Sequence, residues 1–127
     1  MGSIDQWMTK KVVTCTPDCS VKKAASLMKK HKIGTVVITG NSRIEGIITE
    51  RDILNFVLQK EFDLNAKLEK VMTKKPITID HKATDALAAY LMQKHKIKKL
   101  IVTKNDKLVG IITQTDLLKL FSEYWVK

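Results

Sequence analysis

Displaced by 64 positions, the chain overlies itself: Met8 to Val57 aligns with Met72 to Phe121 without a gap, and 21 of the 50 columns are identical. Met8-Thr9-Lys10-Lys11 falls on Met72-Thr73-Lys74-Lys75, Lys30-His31-Lys32-Ile33 on Lys94-His95-Lys96-Ile97, and Gly46-Ile47-Ile48-Thr49 with Asp52 on Gly110-Ile111-Ile112-Thr113 with Asp116. A fixed internal period constrains the fold strongly, because a repeat unit is usually one supersecondary piece that buries its apolar face against a neighbour. Two copies point to a closed pair and not to a solenoid. With 127 residues in all, each half is near the size at which a domain buries too little surface to stand alone. The halves, 1–63 and 64–127, are therefore expected to fold as one body.

A hydrophobic content of 44% with 28% charged residues is ordinary globular composition. No apolar run approaches the roughly 20 residues of a membrane span, so no membrane partner is expected. The opening residues lack the basic start and apolar middle of a signal peptide, which makes the cytoplasm the expected location. Lys plus Arg exceed Asp plus Glu by 23 to 13, a net charge of +10 that attracts anions: nucleotides, nucleic acid or an acidic protein. No zinc-finger, arginine-rich or helix-turn-helix signature narrows that choice to nucleic acid. Cys15 and Cys19, in Cys-Thr-Pro-Asp-Cys, have neither Cys-x-x-Cys spacing nor a second pair, so they read as small, buried or half-buried residues on a strand, with neither metal nor redox chemistry expected.

Within one copy, Val12 to Thr16 is a β-branched run stopped by Pro17-Asp18, a strand ending in a turn. Ser20 can cap a helix whose apolar residues Val21, Ala24, Ala25 and Met28 fall on one face. Val36 to Ile38 and Ile44 to Thr49 form a hairpin about Gly40-Asn41-Ser42, and a helix follows from about Glu50 to Gln59. The second copy predicts a strand over Ile77 to Ile79, a helix over Thr84 to His95, strands over Leu100 to Thr103 and Leu108 to Thr113, and a last helix through Leu117, Leu120, Phe121 and Tyr124. Glu61 to Lys70 joins the copies, its end forming a short helix that Ile4 to Met8 mirrors. The expected class is α+β, with two pseudo-symmetric β-α-β-β-α repeats packed sheet to sheet. Trp7, Tyr124 and Trp125 are candidates for a dimer surface or for core rings. His31 and His95 sit in last helical turns without ligand or catalytic partners.

Gly46 to Asp52 and Gly110 to Asp116 each end a buried strand and open a helix. Thr-x-x-Asp at that place is a capping arrangement, hydroxyl and carboxylate satisfying orphan backbone amides. It is also an anion site in outline, because free N–H groups and the positive dipole end meet there. Thr hydroxyls, an Arg and a carboxylate that accepts two hydroxyl protons suit a ribose carrying a phosphate.

Taken in order, these motifs resemble the tandem cystathionine β-synthase (CBS) domain pair, or Bateman module. The likeness runs from Met-Thr at Met8 and Met72, through Thr-x-Thr-Pro-Asp at Thr14 to Asp18, to the two Gly-Ile-Ile-Thr-x-x-Asp endings. The resemblance implies a regulatory module with adenosine ligands (AMP, ADP, ATP or S-adenosylmethionine) in clefts between the repeats, no required cofactor, homodimerisation, and an effector protein as partner. Carried across by motif, one site would use Thr113, Thr115 and Asp116 with Thr14, Thr16, Ile33 and Gly34. Its twin would use Thr49, Arg51 and Asp52 with Thr78, Asp80, Ile97 and Lys98. Arg51 and Lys98 make the twin the more cationic, so the Asp52 site is expected to prefer phosphorylated adenosine. Asp80, where the first copy has Thr16, would repel a phosphate unless it points elsewhere. Catalysis is not expected, for no nucleophile, base and orienter stand at useful spacing. The competing reading is a protein-interaction or nucleic-acid scaffold without a nucleotide ligand.

Overall fold

Among the described residues, seven short strands and four helices follow one another in the order β1 (Thr14–Cys15), α1 (Val21–His31), β2 (Thr35–Gly40), β3 (Arg43–Thr49), α2 (Glu50–Val57), β4 (Thr73–Lys74), β5 (Thr78–Asp80), α3 (Asp85–His95), β6 (Lys99–Lys104), β7 (Lys107–Thr113) and α4 (Gln114–Trp125). Turns of 3-10 helix at Ile4–Gln6 and Leu68–Lys70 precede the two copies. The structure, a computed structural model, describes residues 3–125. The outer bounds of the expected halves, 1 and 127, and the Trp125 side chain lie outside the described residues.

The strands form two sheets, ordered β1-β2-β3-β4 and β5-β6-β7, so the class is α+β. In each, the first strand runs parallel to the second and the hairpin is antiparallel, with Thr14 opposite Val37 in one and Thr78 opposite Ile101 in the other. The hairpin turns are Asn41-Ser42 and Asn105-Asp106, all four residues at positive φ between 51° and 63°. That is the backbone twist of a two-residue turn that fits twisted strands, and Asn is among the side chains that accept it most readily. Gly40 closes β2 and is not part of the turn itself.

Helix limits follow from side-chain chemistry. Ser20 Oγ accepts the Lys23 amide at 3.0 Å and Thr84 Oγ1 the Leu87 amide at 3.2 Å, capping α1 and α3. Both helices end on a lysine in left-handed conformation, Lys32 and Lys96, each at φ 54°. The next amide then turns back: Ile33 donates to the Met28 carbonyl and Ile97 to the Met92 carbonyl, both at 3.0 Å.

The compact units do not coincide with the halves of the duplication. One, the first unit, is Val13–Pro76; the second joins the leading segment up to Val12 to everything from Ile77 onward. Leu68 accordingly lies in the core of the first unit with Cys15, Val21, Ala24, Met28, Val36, Ile38 and Ile48. Ile4 takes the matching place in the second, with Ile79, Ala88, Met92, Leu100, Val102, Ile112 and Leu117, and Trp7 packs half-buried against it. The segment after each of these residues then joins a sheet edge. Thr73 pairs with Ile47 in β3, and Thr9 exchanges two hydrogen bonds with Ile111, at 2.8 and 3.0 Å.

This pairing explains the glycine of the Gly-Ile-Ile-Thr motif. A Cβ on Gly46 would stand 2.6 Å from Met72 Sδ and 2.7 Å from the Thr73 carbonyl; on Gly110, 2.6 Å from Met8 Sδ and 2.9 Å from the Thr9 carbonyl. The Met-Thr dipeptide and the glycine are thus two halves of one contact. No helix among the described residues is long and apolar enough to cross a membrane.

Candidate functional site

Each sheet delivers its last strand directly into a helix, and the junction is a closed hydrogen-bonded box. In the first unit the Thr49 amide donates to Asp52 Oδ2 at 2.8 Å, the Thr49 hydroxyl donates to the same oxygen at 3.1 Å, and the Asp52 amide donates to Thr49 Oγ1 at 3.3 Å. In the second the Thr113 amide donates to Asp116 Oδ2 at 2.9 Å and the Asp116 amide to Thr113 Oγ1 at 3.1 Å. The capping role read from Thr-x-x-Asp is present in both copies. In both, only Oδ2 is used: among the described residues neither Asp52 Oδ1 nor Asp116 Oδ1 accepts a hydrogen bond. Both aspartates are half-buried, neither being closed off from solvent as a whole residue.

The helix starts offer fewer free amides than a bare terminus would. The Glu50 amide donates to the Gly34 carbonyl at 3.0 Å and the Gln114 amide to the Lys98 carbonyl at 2.9 Å. With Asp52 and Asp116 bonded to their threonines, the Arg51 and Thr115 amides are the first-turn donors left over among the described residues. The chemistry on offer is therefore an acceptor carboxylate with one or two donors beside it. Such a set suits a diol better than a bare anion.

The same bonds show which candidate residues stand together. Thr14, Thr16, Ile33, Gly34, Thr49, Arg51 and Asp52 belong to the first unit, and Thr78, Asp80, Ile97, Lys98, Thr113, Thr115 and Asp116 to the second. Within the first, Ile33-Gly34 abuts the start of α2; within the second, Ile97-Lys98 abuts the start of α4. Thr14, Thr16, Thr78 and Asp80 are exposed, Thr14 in β1 and Thr78 and Asp80 in β5, with Thr16 directly after β1. Arg51 and Lys98 are exposed and pair with no acid among the described residues.

Asp80 is occupied locally: its Oδ2 accepts the Lys82 amide at 3.0 Å and its carbonyl the Ala83 amide at 2.9 Å. An aspartate that holds its own turn has one oxygen directed at backbone. The matching turn of the first unit has another solution, in which the Thr16 hydroxyl donates to Asp18 and holds that carboxyl below its ordinary value.

Two features were not readable as site elements from sequence. A groove of about 420 Å³ between α1 and α2 is lined by Ala25, Met28, Lys32, Ile33, Ile53 and Leu54. A counterpart of about 460 Å³ between α3 and α4 is lined by Ala89, Met92, Lys96, Ile97, Leu117 and Leu118. At its rim Leu54 is 64% exposed and Leu118 63%. The identity of that leucine in both copies was the available signal.

The model of the CBS domain matches residues 2–59 and 68–123. The chain belongs to the CBS domain family. It is 30% identical over 117 residues to the CBS domain-containing protein YhcV of Bacillus subtilis, covering 92% of this chain and 84% of that one. Among solved structures, the CBS domain pair of protein MJ0100, in complex with 5′-methylthioadenosine and S-adenosyl-L-methionine, has a TM-score of 0.86 at 27% identity, over 96% of this CBS chain and 97% of that one. The CBS domain protein PAE2072 of Pyrobaculum aerophilum, complexed with AMP, has a TM-score of 0.84 at 26% identity, over 94% and 98%.

Proposed function

We propose that this CBS domain pair is a non-catalytic regulatory module of the cytoplasm whose ligands are adenosine compounds: AMP, ADP, ATP or S-adenosylmethionine. One observation carries the reading. At the same place in both copies, a half-buried capping aspartate gives one oxygen to its own backbone while the other accepts no hydrogen bond among the described residues, with Arg51 or Thr115 next in sequence. A ribose diol donating to Asp52 Oδ1 or Asp116 Oδ1 would add charge-assisted bonds without dismantling the cap, each contributing about 1.5–3 kcal/mol. The relatives complexed with AMP and with S-adenosylmethionine support adenosine as the common part. Under this reading the Asp116 helix start works with Thr14, Thr16, Ile33 and Gly34, and the Asp52 start with Thr78, Asp80, Ile97 and Lys98. The two halves, 1–63 and 64–127, act as partners in each pocket. The ligand needs no cofactor, and its signal passes to an effector protein through a homodimer.

The test is a thermal shift followed by calorimetry. A ligand that binds only the folded chain at 100 times its Kd adds about 2.7 kcal/mol, a rise on the order of 10 °C for a protein of this size. Asp52→Asn and Asp116→Asn are the informative variants, because an amide oxygen still accepts the Thr49 or Thr113 amide while the charge that grips the diol is gone. AMP affinity is expected to fall at least tenfold in Asp52→Asn, more than in Asp116→Asn, and to weaken as salt rises. Absence of any shift with all four compounds defeats the proposal. Given a charge of +10, salt-dependent retardation of RNA or DNA that both variants leave unchanged would then favour the nucleic-acid scaffold.

A further inference from the structure

Two sulfur atoms in the first unit carry a chemistry the second copy lacks. Cys15 and Cys19 stand where the other repeat has Ile79 and Ala83, so neither place requires sulfur for packing. The turn between them is closed by the Cys19 amide donating to the Thr16 carbonyl at 3.1 Å, which folds the chain back between the two cysteines. Both belong to one apolar cluster, Cys15 as a buried member and Cys19 half-buried against it.

The two are chemically unlike. Cys19 is half-buried, and its Sγ lies 3.4 Å from the Thr16 hydroxyl oxygen, whose proton goes to the Asp18 carboxylate. Burial pushes the Cys15 thiol up to about 11. A partly exposed sulfur with the larger thiolate share beside a buried thiol is the arrangement of an attacking and a resolving cysteine.

We propose that Cys15 and Cys19 form a reversible disulfide within the chain when hydrogen peroxide reaches the half-buried Cys19. The Cys19 thiolate attacks one peroxide oxygen; an S–O bond forms, the O–O bond breaks, and the other oxygen leaves as hydroxide and takes a proton from solvent. Cys15 sulfur then attacks Cys19 sulfur; the S–S bond forms, the S–O bond breaks, and the hydroxyl departs with the Cys15 proton as water. Two thiols are oxidised by two electrons in all, and the peroxide is reduced to two waters. Closing so short a loop adds little chain-entropy stabilisation, so a small dithiol reverses it. The bond ties β1 to the residue before the α1 cap and clamps the turn that carries Thr16.

The full chain, reduced and desalted, is treated with hydrogen peroxide, alkylated with iodoacetamide and weighed intact. The expected product is a monomer lighter by about 2 Da in which neither cysteine is alkylated, with both thiols restored by dithiothreitol. Peroxide with dimedone should label Cys19 in Cys15→Ser and leave Cys15 unlabelled in Cys19→Ser. Two alkylatable thiols after peroxide, a disulfide only between chains, or dimedone on Cys15 as readily as on Cys19 would each overturn the proposal. The mass of the unsubstituted chain decides the matter even if a variant fails to fold.

Discussion

At the scale of single residues, a position shared by the two copies is informative once its neighbours are known. Gly46 and Gly110 are glycine because methionine sulfur and a threonine carbonyl occupy the space of a side chain. The sulfur could swing aside, but the carbonyl belongs to a paired edge. Gly110→Ala is therefore expected to destabilise the fold by about 1–3 kcal/mol in urea unfolding, with Gly46→Ala at least as severe because its carbonyl is closer. Wild-type stability in both would show that the edge segment is loosely held. Cys15 makes a prediction of different kind. Its thiol rises from an ordinary 9.0 to about 11 because the buried site favours the neutral form. The folded chain thus holds a proton that the unfolded chain releases, and the stabilisation is full below about pH 9 and lost as pH climbs to 11. Under reducing conditions, unfolding free energy should decline over that window, and less steeply in Cys15→Ala; parallel slopes would contradict the assignment.

At the scale of elements, much was legible and the reason is periodicity. The apolar spacing of Val21, Ala24 and Met28 marked α1, and Ser20 and Thr84 marked where helices begin. The threonine and aspartate of the two strand-to-helix junctions were legible too, because a capping box is a local pattern that needs no distant partner. Strand β4 was not, since two exposed residues carry no alternation, and only the register of Thr73 against Ile47 and Lys74 against Gly46 defines it. Nor was the sharing of one apolar cluster by the two cysteines, because spacing in sequence says nothing of how a turn folds back. The hairpins also leave room for improvement. Asp106 sits at φ 63°, in the second place of a turn that glycine occupies most comfortably. Asp106→Gly should raise the melting temperature, by about 0.5–1 kcal/mol of stability, without altering ligand response; a lower melting point would mean that the aspartate side chain holds the turn.

For the molecule as a whole, each copy of the repeat ends in a helix whose inner side packs and whose outer side still shows leucine. In α2, Ile53 and Phe56 face the core while Leu54, Val57 and Leu58 face outward; in α4, Leu117 is buried while Leu118 and Phe121 are exposed. Burial of a leucine side chain contributes up to about 1.5–3 kcal/mol, and each chain offers the residue twice. Under the homodimer reading, these faces pack on a second copy. Leu54→Lys with Leu118→Lys is expected to convert a dimer to a monomer in sedimentation equilibrium, the thermal transition of the monomer being retained. An unchanged mass would place the dimer contact elsewhere.

The exchange of Ile4 and Leu68 between cores has a bearing on how such a chain could have arisen. A polypeptide holding one copy would leave a vacancy in its own interior and carry, at its front, the plug for someone else's. Two such polypeptides would complete each other's interiors by trading those leading segments, and a chain that carries both copies makes that trade within itself.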